Sequence, residues 1–314
     1  MTAIPHTVPA AWPAGIADAR FASTVRTDSP AGCTVALLGI PDDRGVWMNN
    51  GRTGAAGGPA AFRAALARYG AAEPATGRLP RVFDAGDIAV SDSLEETHRR
   101  ISAATRALLD QGLLPVAVGG GHDLTYPFVR AVAQKFPKPT GLYFDAHLDV
   151  REATGSGMAF RRLLIDCAVP ALHLHGFRPL VNSREHFAWF QSRGGRVHAD
   201  GARVALPKAR DLFASFDLDV LDAAHAPGVS ALNPAGWSVR EAETWVRACG
   251  ASPAVRCFDL MELNPLHDNE SRTARVAAHL FLAFLQGVAV RPSPKPPRRA
   301  GRRSRKAPRG RTRK

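Results

Sequence analysis

An α/β fold with a mainly parallel sheet is predicted, because short apolar runs bounded by Gly, Asp or Pro alternate along the chain with longer amphipathic stretches. The apolar runs are mostly β-branched or aromatic and too short for helices. Acids and histidines stand directly after several of them, as they do where ligands bind beyond the carboxyl ends of parallel strands. In chain order, strands are expected at 35–40, 81–83, 114–118, 141–144, 171–175, 214–218 and 255–260. Between and after them, 59–69, 93–111, 124–135, 183–193, 238–248 and 271–286 place apolar residues three and four apart, which predicts covering helices. Ser93 ahead of Glu95 and Glu96, and Ser238 three residues before Glu241, are helix-start signals. No internal repeat or linker precedes Arg291, so residues 1–290 are expected to be one domain.

The chain has 314 residues and is 45% hydrophobic, enough to bury a core, which excludes disorder throughout. Its 41 Lys and Arg outnumber 28 acids, but the excess is local. Residues 291–314 hold 12 bases and no acid, leaving 29 bases against 28 acids in residues 1–290. The body is therefore not read as a nucleic-acid-binding surface. The Pro/Arg/Lys-rich tail, 291–314, is expected to be disordered and to bind polyanions non-specifically. Cys33, Cys167, Cys249 and Cys257 are widely spaced with no CxxC pair, which predicts reduced thiols and a cytoplasmic protein. The N-terminus lacks a basic start and a continuous apolar stretch, and no run approaches a membrane span. No membrane association is expected; a small-molecule substrate and a homo-oligomer are.

Four strand ends carry the chemistry: GGGHD at 119–123, DAHLDVR at 145–151, DLDVLD at 217–222 and MELNP at 261–265. Asp145, His147 and Asp149 lie at alternate positions, and an extended backbone would turn all three to one face; Asp217 and Asp219 pair in the same way. Taken singly, such residues are as often helix caps or solvated loop acids. As a set on adjacent strands they would repel one another unless cations lay between them. Six candidate ligands, His122, Asp145, His147, Asp149, Asp217 and Asp219, are too many for one tetrahedral zinc and suit two bridged ions. Hard oxygen donors with imidazole and no thiolate favour manganese-like metals. Two such ions can activate water near neutral pH, which predicts hydrolysis. GGGHD lacks the Lys-Ser/Thr of a phosphate loop, and tight backbone turning explains its glycines.

In this order and at these strand ends, GGGHD, DAHLDVR, SFDLDVLD and MELNP resemble the arginase/agmatinase/formimidoylglutamase superfamily over roughly residues 33–290. The stretch GIPDDRGVWMNNGRTGAAGGP at 39–59 and APGVSA at 226–231 are most similar to formimidoylglutamases. Arginases carry a proton-shuttling histidine after DxHxD, and residues 151–165 contain none. The resemblance implies an arginase-like three-layer α/β/α sandwich and two Mn2+ per chain. One ion would be held by His122, Asp145, Asp149 and Asp217, the other by Asp145, His147, Asp217 and Asp219. It further implies hydrolysis of N-formimido-L-glutamate to glutamate and formamide, in histidine degradation. Asp149 would pass a proton to the leaving amine, and Glu262 would orient the cationic formimino group. By position, Arg151, Arg52 and Arg161 are candidates for the substrate carboxylates, each otherwise a surface arginine. His173 and His175 read as core or supporting histidines. The alternatives are a guanidino-compound hydrolase releasing urea and, remotely, a nucleic-acid-binding protein; a zinc deacetylase is disfavoured because Asp123, not histidine, follows His122.

Overall fold

The apolar runs become strands of one sheet in the computed structural model, which describes residues 4–70, 78–201 and 203–292. Its strands are Thr7–Val8 (β1), Val35–Ile40 (β2), Val82–Ile88 (β3), Leu114–Gly119 (β4), Thr140–Phe144 (β5), Leu172–His175 (β6), Gly195–Val197 (β7), Leu212–Asp217 (β8) and Val255–Met261 (β9). The helices are Arg44–Met48 (α1), Gly58–Leu66 (α2), Leu94–Asp110 (α3), Thr125–Lys135 (α4), Ala159–Asp166 (α5), Arg184–Ser192 (α6), Val239–Ala251 (α7) and Arg272–Ala289 (α8). Among the described residues the sheet runs β1-β3-β2-β4-β9-β8-β5-β6-β7, with only the edge strand β1 antiparallel.

Alternate residues of each strand feed two cores, one on each face, which is why the strands read as unbroken apolar runs. On one face, Val35, Leu37, Val116, Phe144 and Phe216 pack beneath Phe62 of α2, Trp245 of α7 and Phe281 and Phe284 of α8. On the other, Ala36, Leu38, Ala117, Tyr143 and Leu174 meet Ile101 and Leu108 of α3, Phe128 of α4, Phe160 of α5 and Phe190 of α6. The architecture is the expected three-layer α/β/α sandwich. Ser93 and Ser238 cap α3 and α7 by accepting from the amides of Glu96 and Glu241. Helices α7 and α8 cross closely enough that a Cβ on Gly250 would lie 2.1 Å from the Phe284 carbonyl oxygen, and one on Gly287 2.2 Å from that of Arg247. Near the β1 edge, buried Arg63 of α2 bonds Asp84 at 2.8 Å and Asp87 at 2.6 Å, and the Trp12 indole also donates to Asp84.

The two- and three-residue strands β1 and β7 and the short helices α1 and α5 were not predicted, and β3 runs on to Ile88. The tail from residue 293 lies outside the described residues. Strand order decides where the site lies: β4, β9, β8 and β5 are neighbours, so GGGHD, MELNP, DLD and DAHLD emerge side by side. They come together although their positions in the chain span 119–265.

Candidate metal centre

The GGGHD turn leaves β4 by folding its backbone against the segment after β2. Gly120 and Gly121 donate to the carbonyls of Ile40 and Asp42, and a Cβ on Gly120 would meet the Asp42 carbonyl oxygen at 1.8 Å. That turn delivers His122, whose ring is met edge-on by Phe160 of α5, centroids 5.2 Å apart. Its Nε2 lies 3.0 Å from Ser215 Oγ. Ser215 spends its own proton on Asp259 Oδ1 at 2.6 Å, so its oxygen accepts from His122 Nε2–H and leaves Nδ1 with a bare lone pair. Thr125 Oγ1 donates to the other Asp259 oxygen at 3.0 Å.

That lone pair faces three carboxylate oxygens, at 3.1 Å (Asp145 Oδ2), 3.0 Å (Asp149 Oδ2) and 3.0 Å (Asp217 Oδ2). Both His122 Nδ1 and Asp145 Oδ2 are buried with no hydrogen-bond partner among the described residues. One imidazole nitrogen and three carboxylate oxygens thus converge in a buried group that could hold a cation. Beside it, His147 Nδ1 approaches Asp145 Oδ1 at 3.4 Å and Asp219 Oδ2 at 2.9 Å. Two ligand groups result, His122, Asp145, Asp149 and Asp217, and Asp145, His147 and Asp219. They share Asp145. The second Asp217 oxygen accepts from the Asp219 amide at 2.7 Å.

The six residues converge, but not by strand alternation. β5 ends at Phe144, and Asp149 reaches the cluster through a left-handed backbone, φ +48°. The 145–150 segment is steadied by Asn182, which accepts from the Leu148 amide and donates to the Ala146 carbonyl. Electrostatics record the crowding. Burial, then Asp149 and Asp219, raise Asp145 to about 6; burial and Asp219 hold Asp217 well above the usual carboxylate range. Burial works against charge on both imidazoles, yet the facing carboxylates lift His147 to about 12 and His122 well above its ordinary value. Burial likewise pushes Asp259 up to about 6.

Glu262 follows β9 with φ +67° and is 4% exposed. Its Oε1 accepts from the His122 amide at 2.9 Å and its Oε2 from the Ser230 hydroxyl. Burial raises its carboxyl to about 8. Glu262, Asp149, Asp217 and Asp219 line a cleft of about 540 Å³, together with both metal-facing histidines, Arg151, Asn49, Ser156, His186 and Ser230.

Of the three candidate arginines, Arg151 alone lines this cleft, its guanidinium held by Asn49 Oδ1 at 2.5 Å. Arg161 instead lies over the Trp189 ring at 4.3 Å and reaches Glu152 and the Val150 carbonyl. Arg52 points at the carbonyls of Pro227, Val229 and Ser230. His175 is buried between the rings of His198 and Trp245, at 4.3 and 4.2 Å, and His173 bonds His198 at 2.9 Å, so both serve packing. The sequence reading missed Ser215 and Asp259. Their signal was faint: Ser215 stands two residues before Asp217, and Asp259 is an acid inside an otherwise apolar run.

Comparison with known proteins agrees with this geometry. The model of the Arginase family matches residues 33–286. A formimidoylglutamase of Ralstonia nicotianae is 36% identical over 288 residues, 83% of this chain and 87% of that protein. A mitochondrial guanidino acid hydrolase of Homo sapiens is 31% identical, over 82% of this chain and 79% of that one. The crystal structure of Trypanosoma cruzi formiminoglutamase with Mn2+2 superposes with a TM-score of 0.82 at 31% identity, covering 88% of this chain and 100% of that chain.

Proposed function

The chain belongs to the arginase family, and we propose that it hydrolyses the formimino C–N bond of N-formimido-L-glutamate, giving glutamate and formamide in histidine degradation. The observation that carries this reading is the convergence of four carboxylates and two imidazoles, with unpaired buried donor atoms, beside a buried carboxylate in one cleft. The cofactor is Mn2+, two per chain. His122, Asp145, Asp149 and Asp217 would hold one ion, and Asp145, His147, Asp219 and the shared Asp217 the other. When bound, the pair supplies the charge that makes water nucleophilic near neutral pH.

Protein groups supply the rest. Ser215 and Asp259 fix the His122 tautomer that keeps Nδ1 free for metal. Glu262, its ionised form favoured by the cation it faces, holds the protonated formimino nitrogen, so that the amidine carbon is presented in one orientation and stays electrophilic. Asp149 takes the proton lost from the attacking water and returns it to the glutamate nitrogen as the C–N bond breaks. Arg151, at the cleft wall, pairs with the substrate carboxylates.

A guanidino acid is the second reading, favoured by the similarity to the human hydrolase. Turnover by manganese-loaded protein of formimidoglutamate, guanidinobutyrate, agmatine and arginine, with formamide and urea measured separately, decides between them. Urea without formamide overturns the first reading. We also read the protein as a cytoplasmic homo-oligomer, supported by its four free thiols and by exposed Trp47, Leu180 and Leu266. Polyanion binding through residues 291–314 rests on the run of bases there. No helix among the described residues is long and apolar enough to cross a membrane.

A further inference from the structure

We infer that Arg52 and Ser230 form a positioning pair that fixes the carboxylate plane of Glu262, an inference that rests on the role just given to Glu262. Residues 226–231 belong to no helix or strand, so their carbonyls have no ladder to hold them in place. Arg52 does that instead. Its Nε donates to the Ser230 carbonyl at 3.2 Å, and one terminal nitrogen reaches the carbonyls of Pro227 at 3.4 Å and Val229 at 2.5 Å. A planar five-donor guanidinium can serve several carbonyls at once, as a lysine ammonium at one point cannot.

Arg52 is in turn tied to the segment that follows Glu262. Asn264 Nδ2 donates to the carbonyls of Arg52 at 2.8 Å and Thr53 at 3.1 Å, and the Asn264 amide donates to the Gly228 carbonyl at 2.8 Å. Ser230, anchored in this way, donates its hydroxyl to Glu262 Oε2 while the His122 amide occupies Oε1. One donor per oxygen stops the carboxylate from rotating and leaves each oxygen a lone pair for substrate. An amidinium is planar, so a carboxylate locked in one plane presents its oxygens to the amidinium nitrogens only along the productive orientation. Arg52 therefore acts through Ser230 on Glu262 and touches no substrate carboxylate.

The test compares Arg52→Met, Ser230→Ala and Ser230→Thr in manganese-loaded protein, on formimidoglutamate and on N-butylformamidine, which has no carboxylate. Arg52→Met and Ser230→Ala should lower kcat on formimidoglutamate by about tenfold or more while KM moves little, as when a bound substrate is still held but less well oriented. N-butylformamidine turnover should fall by the same factor. Ser230→Thr, which keeps the hydroxyl, should recover most of the rate. Combined with Glu262→Gln, neither variant should cost much more, because coupled residues are non-additive.

A rise in KM for formimidoglutamate alone, with N-butylformamidine unaffected, would assign Arg52 to the substrate carboxylate and overturn the inference. Full additivity with Glu262→Gln would overturn it too. Should Arg52→Met fail to fold, the Ser230 pair and the Ser230→Ala/Glu262→Gln cycle decide the matter. Should the wild type release urea from a guanidino acid instead, the substrate reading fails while the same cycle, run on that acid, still judges the positioning pair.

Discussion

Glu262 is where backbone strain, burial and position at the cleft coincide, so a single atom exchange there isolates charge from shape. Glu262→Gln should keep both metals and lower kcat/KM by ~10²-fold, comparable to removing one preorganised electrostatic group. Steady-state kinetics with metal analysis check this, and near-native turnover with both ions bound would remove Glu262 from the mechanism. Asp259 makes a different prediction, since it reaches the candidate ligand His122 through Ser215. Asp259→Asn should weaken metal binding by roughly 10–100-fold, as losses of such supporting hydrogen bonds do, measured by competition with a chelating dye. Unchanged affinity would mean that the His122 tautomer is set elsewhere. At this scale the six candidate ligands were legible because acids and imidazoles crowd four strand ends, whatever backbone brings them together. The reason given for their convergence was not legible: an αL aspartate at 149 has no sequence signature distinct from an extended one. Nor were the places of Arg52 and Arg161, because a guanidinium serves carbonyls, rings or carboxylates equally well, and only the fold chose carbonyls for Arg52 and Trp189 for Arg161, whereas Arg151 does line the cleft.

Helices α7 and α8 meet through Gly250 and Gly287, where backbone approaches backbone. Gly287→Ala gains helix propensity but drives a methyl into the Arg247 carbonyl, so the clash should prevail and cost about 1–3 kcal/mol in urea unfolding. Stabilisation would show that the crossing can widen freely. The imidazoles on β6 and beyond make a pH prediction. Burial and the neighbouring His198 hold His175 down to about 3 and His173 to about 4, against 6.5 in an unfolded chain. The folded protein thus binds fewer protons there than the unfolded one. The stability these two imidazoles contribute should be complete above pH 6.5 and be lost as the pH drops toward 3–4. For buried His175 the loss is on the order of a few kcal/mol. His175→Phe, which keeps the stacking, should flatten this part of the stability profile relative to wild type; parallel profiles would refute it. The long elements were readable from periodicity and caps, as at Ser93 and Ser238, whereas β1, β7, α1 and α5 are too short to develop a period.

For the whole molecule, the charge excess and the chemistry occupy separate stretches of chain. Arg291 belongs to the body: its Nε donates to the Gly250 carbonyl at 2.6 Å at the end of α7. A chain ending at residue 292 should therefore keep kcat and thermal stability while losing most retention on heparin, with a steep salt dependence in the full-length protein alone. Loss of turnover in a folded truncation would contradict this. The α/β architecture was legible from the alternation of runs, and the placement of β9 was not, because register and strand order are set by packing across the whole sheet. β9 is the last strand among the described residues, yet it lies between β4 and β8 in the interior of the sheet, joining a half built from residues 7–119 to one built from 140–217. His122 belongs to the first half, and Asp145, His147, Asp149, Asp217 and Asp219 to the second. The pocket of Asp145, His147 and Asp219 thus lies within one half, while the pocket containing His122 straddles the seam that residues 255–261 fill.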